Sequence, residues 1–130
     1  MTVNDQLGNV LSHIYNCEKV GKPETIVKPG SKVILKVLEI MKNNNYIGEF
    51  SHSNDSRHNP VKVNLVGKIN RCGVIKPRFP FKFTELGKFE KRFLPGKNIG
   101  IIIVSTSKGL MTHEQAIKDR LGGKLIAYVY

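Results

Sequence analysis

The sequence has little of what disulfide-bonded, zinc-binding or membrane-spanning chains require. Its only cysteines, Cys17 and Cys72, are far apart and form no Cys-x-x-Cys motif, so we expect two reduced packing residues rather than a disulfide or zinc site. No apolar stretch approaches the ~20 residues that span a bilayer, and residues 1–9 hold no basic cluster followed by an apolar run. We therefore expect no membrane partner and a cytoplasmic location.

Acidic residues are also scarce. The chain of 130 residues has 10 Asp and Glu against 21 Lys and Arg, a formal net charge of +11. Such an excess repels itself in the folded state unless a polyanion neutralises it. Hydrophobic residues make up 40% of the chain and charged residues 24%, which is typical of a folded globular protein rather than a disordered basic tail. Nucleic acid is therefore the leading partner.

Hydrophobic periodicity predicts an α+β fold with two small lobes. In residues 1–66 it predicts the order α-β-α-β-β. The first helix begins at Asn4 or Asp5, and its apolar positions are Leu7, Val10, Leu11 and Ile14. The remaining elements are a strand over 25–28, a helix opened by residues 29–31, and strands over 46–50 and 61–65. The apolar stripe of the second helix is Val33, Ile34, Val37, Leu38 and Met41.

Residues 67–130 are predicted to form a β-rich lobe with one helix. Short strands are expected near 74–75 and 79–83, and the apolar run 99–104 is typical of a central strand buried on both faces. Thr112 and Gln115 have the spacing of a capping box that starts a helix, and Gly122 with Gly123 is expected to end it before a strand over 125–130. The basic and aromatic segment 82–95 has no clean period and stays unassigned.

The segment Ser105, Thr106, Ser107, Lys108 and Gly109 is the main candidate site. It lies between the predicted buried strand and the capped helix, where a loop exposes backbone N–H groups near a positive helix end. Its three hydroxyls can both donate and accept hydrogen bonds, which suits a phosphate, a ribose 2′-OH or a base edge. The alternative is that small hydroxyl residues only cap the helix, and the segment alone leaves both interpretations open.

An enzymatic function has little support. Ser105 and Lys108 have the Ser-x-x-Lys spacing of some acyl-transfer enzymes, but neither Ser-Asp-Asn nor Lys-Thr-Gly follows. The phosphate-binding loop of nucleotide hydrolases is also absent from the sequence. The four histidines, His113 among them, are scattered, which favours solvated or capping side chains over metal ligands. We therefore predict no enzyme, no cofactor, no metal and no small-molecule substrate.

A second candidate site lies at the start of the second predicted helix. Lys28, Ser31 and Lys32 coincide with this helix N-terminus, where backbone donors and the helix dipole favour phosphate. Each of these lysines could instead belong to a solvated face.

Residues 104–112 contain the run Ser-Thr-Ser-Lys-Gly. Together with residues 121–123 and 127–129, they resemble the C-terminal signature of small-subunit ribosomal protein eight, the universal S-eight family. Residues 5–16, 26–36 and 46–48 are similar to its opening helix and next two elements, so the resemblance covers nearly the whole chain. The block 70–79 resembles the archaeal and eukaryotic branch.

The resemblance implies a structural constituent of the small ribosomal subunit that lies beside neighbouring ribosomal proteins. Such a protein binds an irregular helix in the central domain of the small-subunit rRNA directly and supports its assembly. It also implies roles for individual residues. Sugars and bases would be approached by Ser105, Thr106, Ser107, Lys108 and Gly109. The neighbouring RNA backbone would be held by Asn16, Lys28, Ser31 and Lys32. The alternative is a basic protein-interaction adaptor that does not recognise RNA structure.

Overall fold

The computed structural model describes residues 6–27, 32–52, 60–96 and 99–130. The expected helix-starting residues Asn4 and Asp5 and the candidate residues Lys28 and Ser31 therefore lie outside the described residues. The chain divides into two compact units, Met1–Cys72 and Gly73–Tyr130. The lobe boundary expected between residues 66 and 67 stays a prediction, because compact packing does not test whether either part folds by itself.

The first unit has the predicted order α-β-α-β-β. Its elements are α1 (Gln6–Lys19), β1 (Glu24–Val27), α2 (Lys32–Asn43), β2 (Ile47–His52) and β3 (Val61–Leu65). The strands form an antiparallel sheet in the order β1-β3-β2. All four predicted apolar positions of α1 are buried, and so are those of α2 except Val33, which is 46% exposed. Val33 lies in the first turn of α2, at the edge of the buried stripe, and Ile40 is buried instead.

The second unit is built on a five-stranded sheet. Its elements are β4 (Cys72–Val74), β5 (Pro80–Phe81), α3 (Leu86–Phe93), β6 (Ile101–Thr106), β7 (Gly109–Thr112), α4 (His113–Asp119) and β8 (Gly123–Val129). The sheet order is β4-β8-β6-β7, and β5 also pairs with β8. The expected central strand is confirmed, since β6 is paired on both sides and residues 101–104 are buried. It begins later than predicted, because Ile99 is 54% exposed and Gly100 adopts the left-handed conformation.

The second unit has two α-helices in its described residues, where the sequence predicts one. The additional helix, α3, lies inside the unassigned segment 82–95, and it buries Leu86 and Phe89 in the core of this unit. A 3-10 turn over Phe83–Glu85 precedes it directly. A 3-10 turn has about 3.0 residues per turn against 3.6 in an α-helix, so the two together produce no single period in the sequence.

Both cysteines are free and buried, as predicted. The Cys72 thiol donates a hydrogen bond of 3.5 Å to the backbone carbonyl of Leu11. Burial, with a smaller contribution from the nearby Glu18 carboxylate, raises the pKa of Cys72 to about 12. The thiol is therefore protonated at neutral pH and is a packing group rather than a nucleophile.

Glu18 should make the stability of the protein depend on pH. Its Oε2 is buried without a hydrogen-bond partner among the described residues, and desolvation raises the pKa of Glu18 although a hydrogen bond from the Gly67 backbone opposes the shift. The folded protein therefore holds this proton more tightly than the unfolded chain, and the free energy of unfolding falls as pH rises through the interval between the two pKa values. Glu18→Gln should accordingly stabilise the protein more at pH 7 than at about pH 3, because these two conditions lie on either side of the ordinary glutamate pKa of about 4.

Denaturant unfolding of both proteins at the two pH values measures this difference. Glu49→Gln is the matched control, because the Glu49 carboxylate is exposed and pairs with Lys42. Equal stabilisation by Glu18→Gln at both pH values would contradict the prediction.

Candidate nucleic-acid interface

The main candidate segment is the tip of a β-hairpin. Strands β6 and β7 are antiparallel, with Ser105 opposite Leu110 and Thr106 opposite Gly109, so Ser107 and Lys108 form the turn. The expectation of a strand-to-helix loop with backbone N–H groups near a helix end is wrong. The reason is that the chain continues beyond the turn as the four-residue strand β7 before α4 begins.

Thr106 and Gly109 stabilise the turn itself. The Thr106 hydroxyl donates a hydrogen bond of 2.9 Å to the Gly109 carbonyl and accepts one of 3.2 Å from the backbone N–H of Lys108. Gly109 has a φ of 107°, a conformation that favours glycine. By contrast, the hydroxyls of Ser105 and Ser107 form no hydrogen bond within the part of the chain that the structure describes. Ser107 and Lys108 are exposed, so both are accessible to a partner.

Thr112 is the residue that caps α4. Its hydroxyl accepts a hydrogen bond of 3.3 Å from the backbone N–H of Gln115, which confirms the predicted helix start. The Gln115 side chain donates to Asp119 instead of returning to the cap. Since Thr112 occupies the N-cap, none of the hydroxyls of Ser105, Thr106 and Ser107 caps this helix.

Strand register places an additional cation beside Ser105. In β8, Lys124 is directly opposite Ser105, and opposite residues of antiparallel strands lie on the same face of the sheet. Lys124 is exposed, and neither it nor Lys108 forms an ion pair with the described residues. Sequence reasoning missed Lys124, because no local pattern indicates which residue of one strand faces which residue of another.

The glycines before Lys124 allow β8 to approach its neighbours closely. A Cβ on Gly122 would lie 2.9 Å from the Phe81 carbonyl oxygen, and one on Gly123 would overlap the Ser105 carbonyl oxygen. The prediction that these glycines end α4 is wrong. The helix ends at Asp119, and Arg120 adopts the left-handed C-cap conformation with a φ of 55°. Both glycines are therefore required by sheet packing beside the hairpin tip.

The other candidate residues belong to the first unit. Asn16 is exposed on α1, and Lys32 is exposed at the first residue of α2. Because Lys28 and Ser31 lie outside the described residues, the structure describes this predicted phosphate site only through Lys32. Three further lysines of this unit are paired with carboxylates at 3.0 to 3.6 Å, in the pairs Lys36–Glu39, Lys42–Glu49 and Lys62–Glu24.

Positive charge is concentrated in the second unit. Gly73–Tyr130 has 11 Lys and Arg against 4 Asp and Glu, a net charge of +7, whereas Met1–Cys72 has 10 against 6, a net charge of +4. Lys76 aside, the described Lys and Arg side chains of the second unit form no ion pair with a carboxylate. This unpaired charge produces a positive potential that attracts polyanions.

His113 is a structural residue. It is only 1% exposed, so the expectation of a solvated or capping side chain is wrong for this histidine. Its Nδ1 accepts a hydrogen bond of 3.0 Å from the Ile102 backbone N–H, which places the ring proton on Nε2, 3.4 Å from Glu90 Oε2. Among the described residues there is no group of three His, Cys, Asp or Glu side chains that could hold a metal ion. None of the described helices is long and apolar enough to cross a membrane.

A comparison with protein families identifies a match over nearly the whole chain. The family model described as Ribosomal protein S8 matches residues 5–130. The matched range includes the hairpin tip, Lys124 and both helices of the first unit.

Proposed function

Because the chain belongs to the ribosomal protein S8 family, we propose that its hairpin tip recognises an irregular helix in the central domain of small-subunit rRNA. Proteins of this family belong to the small ribosomal subunit, where they bind rRNA beside neighbouring ribosomal proteins. Family membership indicates a structural protein of the cytoplasmic small subunit and not an enzyme. The observation that carries the proposal is the exposed hairpin tip, where the free hydroxyls of Ser105 and Ser107 lie near the unpaired cations of Lys108 and Lys124.

These groups match the chemistry of RNA. An A-form duplex hides its base edges in a deep major groove, so proteins recognise the shallow minor groove, the 2′-hydroxyls and distorted or unpaired nucleotides. A serine hydroxyl can donate to one RNA oxygen or nitrogen and accept from another donor. Lys108 and Lys124 supply phosphate contacts, which position the protein without reading sequence. In the first unit we assign backbone contacts to Asn16 and Lys32, together with Lys28 and Ser31.

Ser107→Ala should weaken RNA binding without weakening the fold. The lost hydrogen bond leaves a buried RNA group unpaired, at a cost of about 1 to 3 kcal/mol, so affinity for an internally looped helix of small-subunit rRNA should fall roughly 5-fold to 150-fold. The dependence of affinity on salt should stay the same, because no phosphate contact is lost. Thermal stability should also stay the same, because Ser107 forms no hydrogen bond with the described residues. Binding titrations at several salt concentrations and thermal melting measure these effects.

Two variants serve as controls. Thr112→Ala should lose about 1 kcal/mol of stability through the missing cap and keep its RNA affinity. Lys124→Ala should weaken binding to all RNAs and make the slope of log affinity against log salt shallower by roughly 0.7 to 0.9. A Ser107→Ala protein that melts early and binds normally would make this hydroxyl structural. Equal affinity of the unmodified protein for a perfect duplex and a looped RNA would favour the adaptor alternative.

A further inference from the structure

The exposed face of α3 carries a basic patch. Lys88, Lys91 and Arg92 are exposed and lie at i, i+3 and i+4, a spacing that places them on one helix face. We call these three residues the α3 patch. Leu86 and Phe89 are on the buried face of the same helix. The patch therefore points away from the core of the second unit.

Among the described residues, no carboxylate forms an ion pair with the cations of the α3 patch. Glu90, the acidic residue within α3, is only partly exposed, and its carboxylate lies beside the buried ring of His113. Glu85 precedes the helix and accepts a hydrogen bond of 2.9 Å from the Lys82 backbone N–H. The three cations of the patch form no ion pair with either residue, in contrast to the paired lysines of the first unit.

Aromatic rings restrain the guanidinium of Arg92. Its Cζ lies 5.0 Å from the ring centroid of Phe79 and 5.4 Å from that of Phe93. Phe79 in turn stacks on Phe89, and Phe93 stacks on Tyr128. Cation–π contacts orient a guanidinium but leave its charge and its N–H donors available. A planar guanidinium held in this way is suited to bidentate binding of phosphate.

The α3 patch and the hairpin site lie on opposite sides of the sheet. Leu86 and Phe89 of α3 pack in one core cluster with Ile102, Val104 and Leu125, so α3 covers the face to which these strand residues point. Ser105 follows Val104 along β6, and Lys124 precedes Leu125 along β8. Because successive side chains of a strand point to opposite faces, Ser105 and Lys124 lie on the face that α3 does not cover. An RNA helix bound to Ser105 and Lys124 is therefore separated from the patch by the sheet and the helix layer.

We propose that the α3 patch binds the phosphate backbone of a second RNA segment, distinct from the one at the hairpin tip. This inference rests on the proposed function in that both segments belong to small-subunit rRNA. Lys108 and Lys124 are only two of the 11 basic residues of the second unit, so contact at the hairpin leaves most of the charge of this unit without a counterion.

The large hydrophobic side chains exposed in the described structure all lie outside α3. Protein interfaces instead centre on exposed aromatic and apolar anchors, so the patch fits RNA better than an acidic protein.

Hydroxyl-radical footprinting of small-subunit rRNA tests the proposal with the full chain. The proteins compared are the unmodified protein, Ser107→Ala, and a triple variant with Lys88→Ala, Lys91→Ala and Arg92→Ala. The matched control carries Lys36→Ala, Lys42→Ala and Lys62→Ala, which remove the same charge from three lysines that are paired with carboxylates. Thermal melting checks that all four proteins are folded.

The triple variant should lose protection of one RNA segment and keep the segment that Ser107→Ala weakens. Its slope of log affinity against log salt should be shallower by roughly 1.4 to 2.7, the value for two or three lost phosphate contacts. The matched control should change neither footprint. The proposal is overturned if the triple variant behaves like the matched control or if it loses the same nucleotides as Ser107→Ala.

The two proposals fail in different ways. If Ser107→Ala leaves every protected nucleotide unchanged and the triple variant still loses its segment, the hairpin assignment is wrong and the α3 patch stands. If the unmodified protein protects no RNA, both proposals are wrong.

Discussion

Replacing Gly123 by alanine should lower the free energy of unfolding by about 3 kcal/mol, at the upper end of what overpacking costs. The added Cβ would overlap the Ser105 carbonyl oxygen. Because this atom belongs to the backbone of β6, it cannot move aside as a flexible side chain can. Strands β6 and β8 would have to separate where Gly123 pairs with Thr106. Denaturant unfolding measures the loss, and reduced affinity for a looped RNA should accompany it, since the hairpin tip would shift.

Gly87→Ala is the matched control for this change. Gly87 lies in α3, is exposed, and has nothing within 4 Å of the position of an added Cβ. Alanine there should stabilise the protein by about 0.5 to 1 kcal/mol, because glycine is unfavourable inside a helix. The same substitution is therefore expected to have opposite signs at the two sites. Similar stability of the two variants would contradict the close contact between β6 and β8.

Removing the ring of His113 should be at least as damaging as Gly123→Ala. His113→Ala is expected to cost about 3 to 5 kcal/mol, the range for truncating a large buried ring. The substitution leaves a cavity, and it also leaves the Ile102 N–H in the buried strand without the acceptor that Nδ1 provides at 3.0 Å. Equilibrium unfolding in denaturant measures the total effect.

A second substitution separates the hydrogen bond from the cavity. His113→Phe keeps most of the ring volume and removes the acceptor, so its expected cost is about 1 to 3 kcal/mol. His13→Ala provides the comparison, because His13 is exposed and its contact with the Thr25 hydroxyl is worth about 1 kcal/mol. If His113→Phe were as stable as the unmodified protein, the bond from Ile102 would contribute nothing to the fold.

Elements with a local pattern were predictable from the sequence. Val61, Val63 and Leu65 alternate with polar residues, and β3 has the predicted bounds. Leu11 and Ile14 belong to a helical apolar stripe, and both are completely buried in α1. The cap of α4 at Thr112 was also predictable, since its partner is only three residues away. In each case the residues that decide the structure are close together in the chain.

The sequence by itself determined the class of partner and the residues of the candidate hairpin, since net charge and residue chemistry are independent of the fold. Only the tertiary structure decided that Lys124 lies beside Ser105, that α3 covers one face of the sheet, and that His113 is buried. Pairing of β6 with β8, the burial of α3 and the close approach at Gly123 depend on contacts between segments that are distant in the chain. Burial across such contacts contributes more free energy than the small local preferences of short segments, so local patterns could not reveal them.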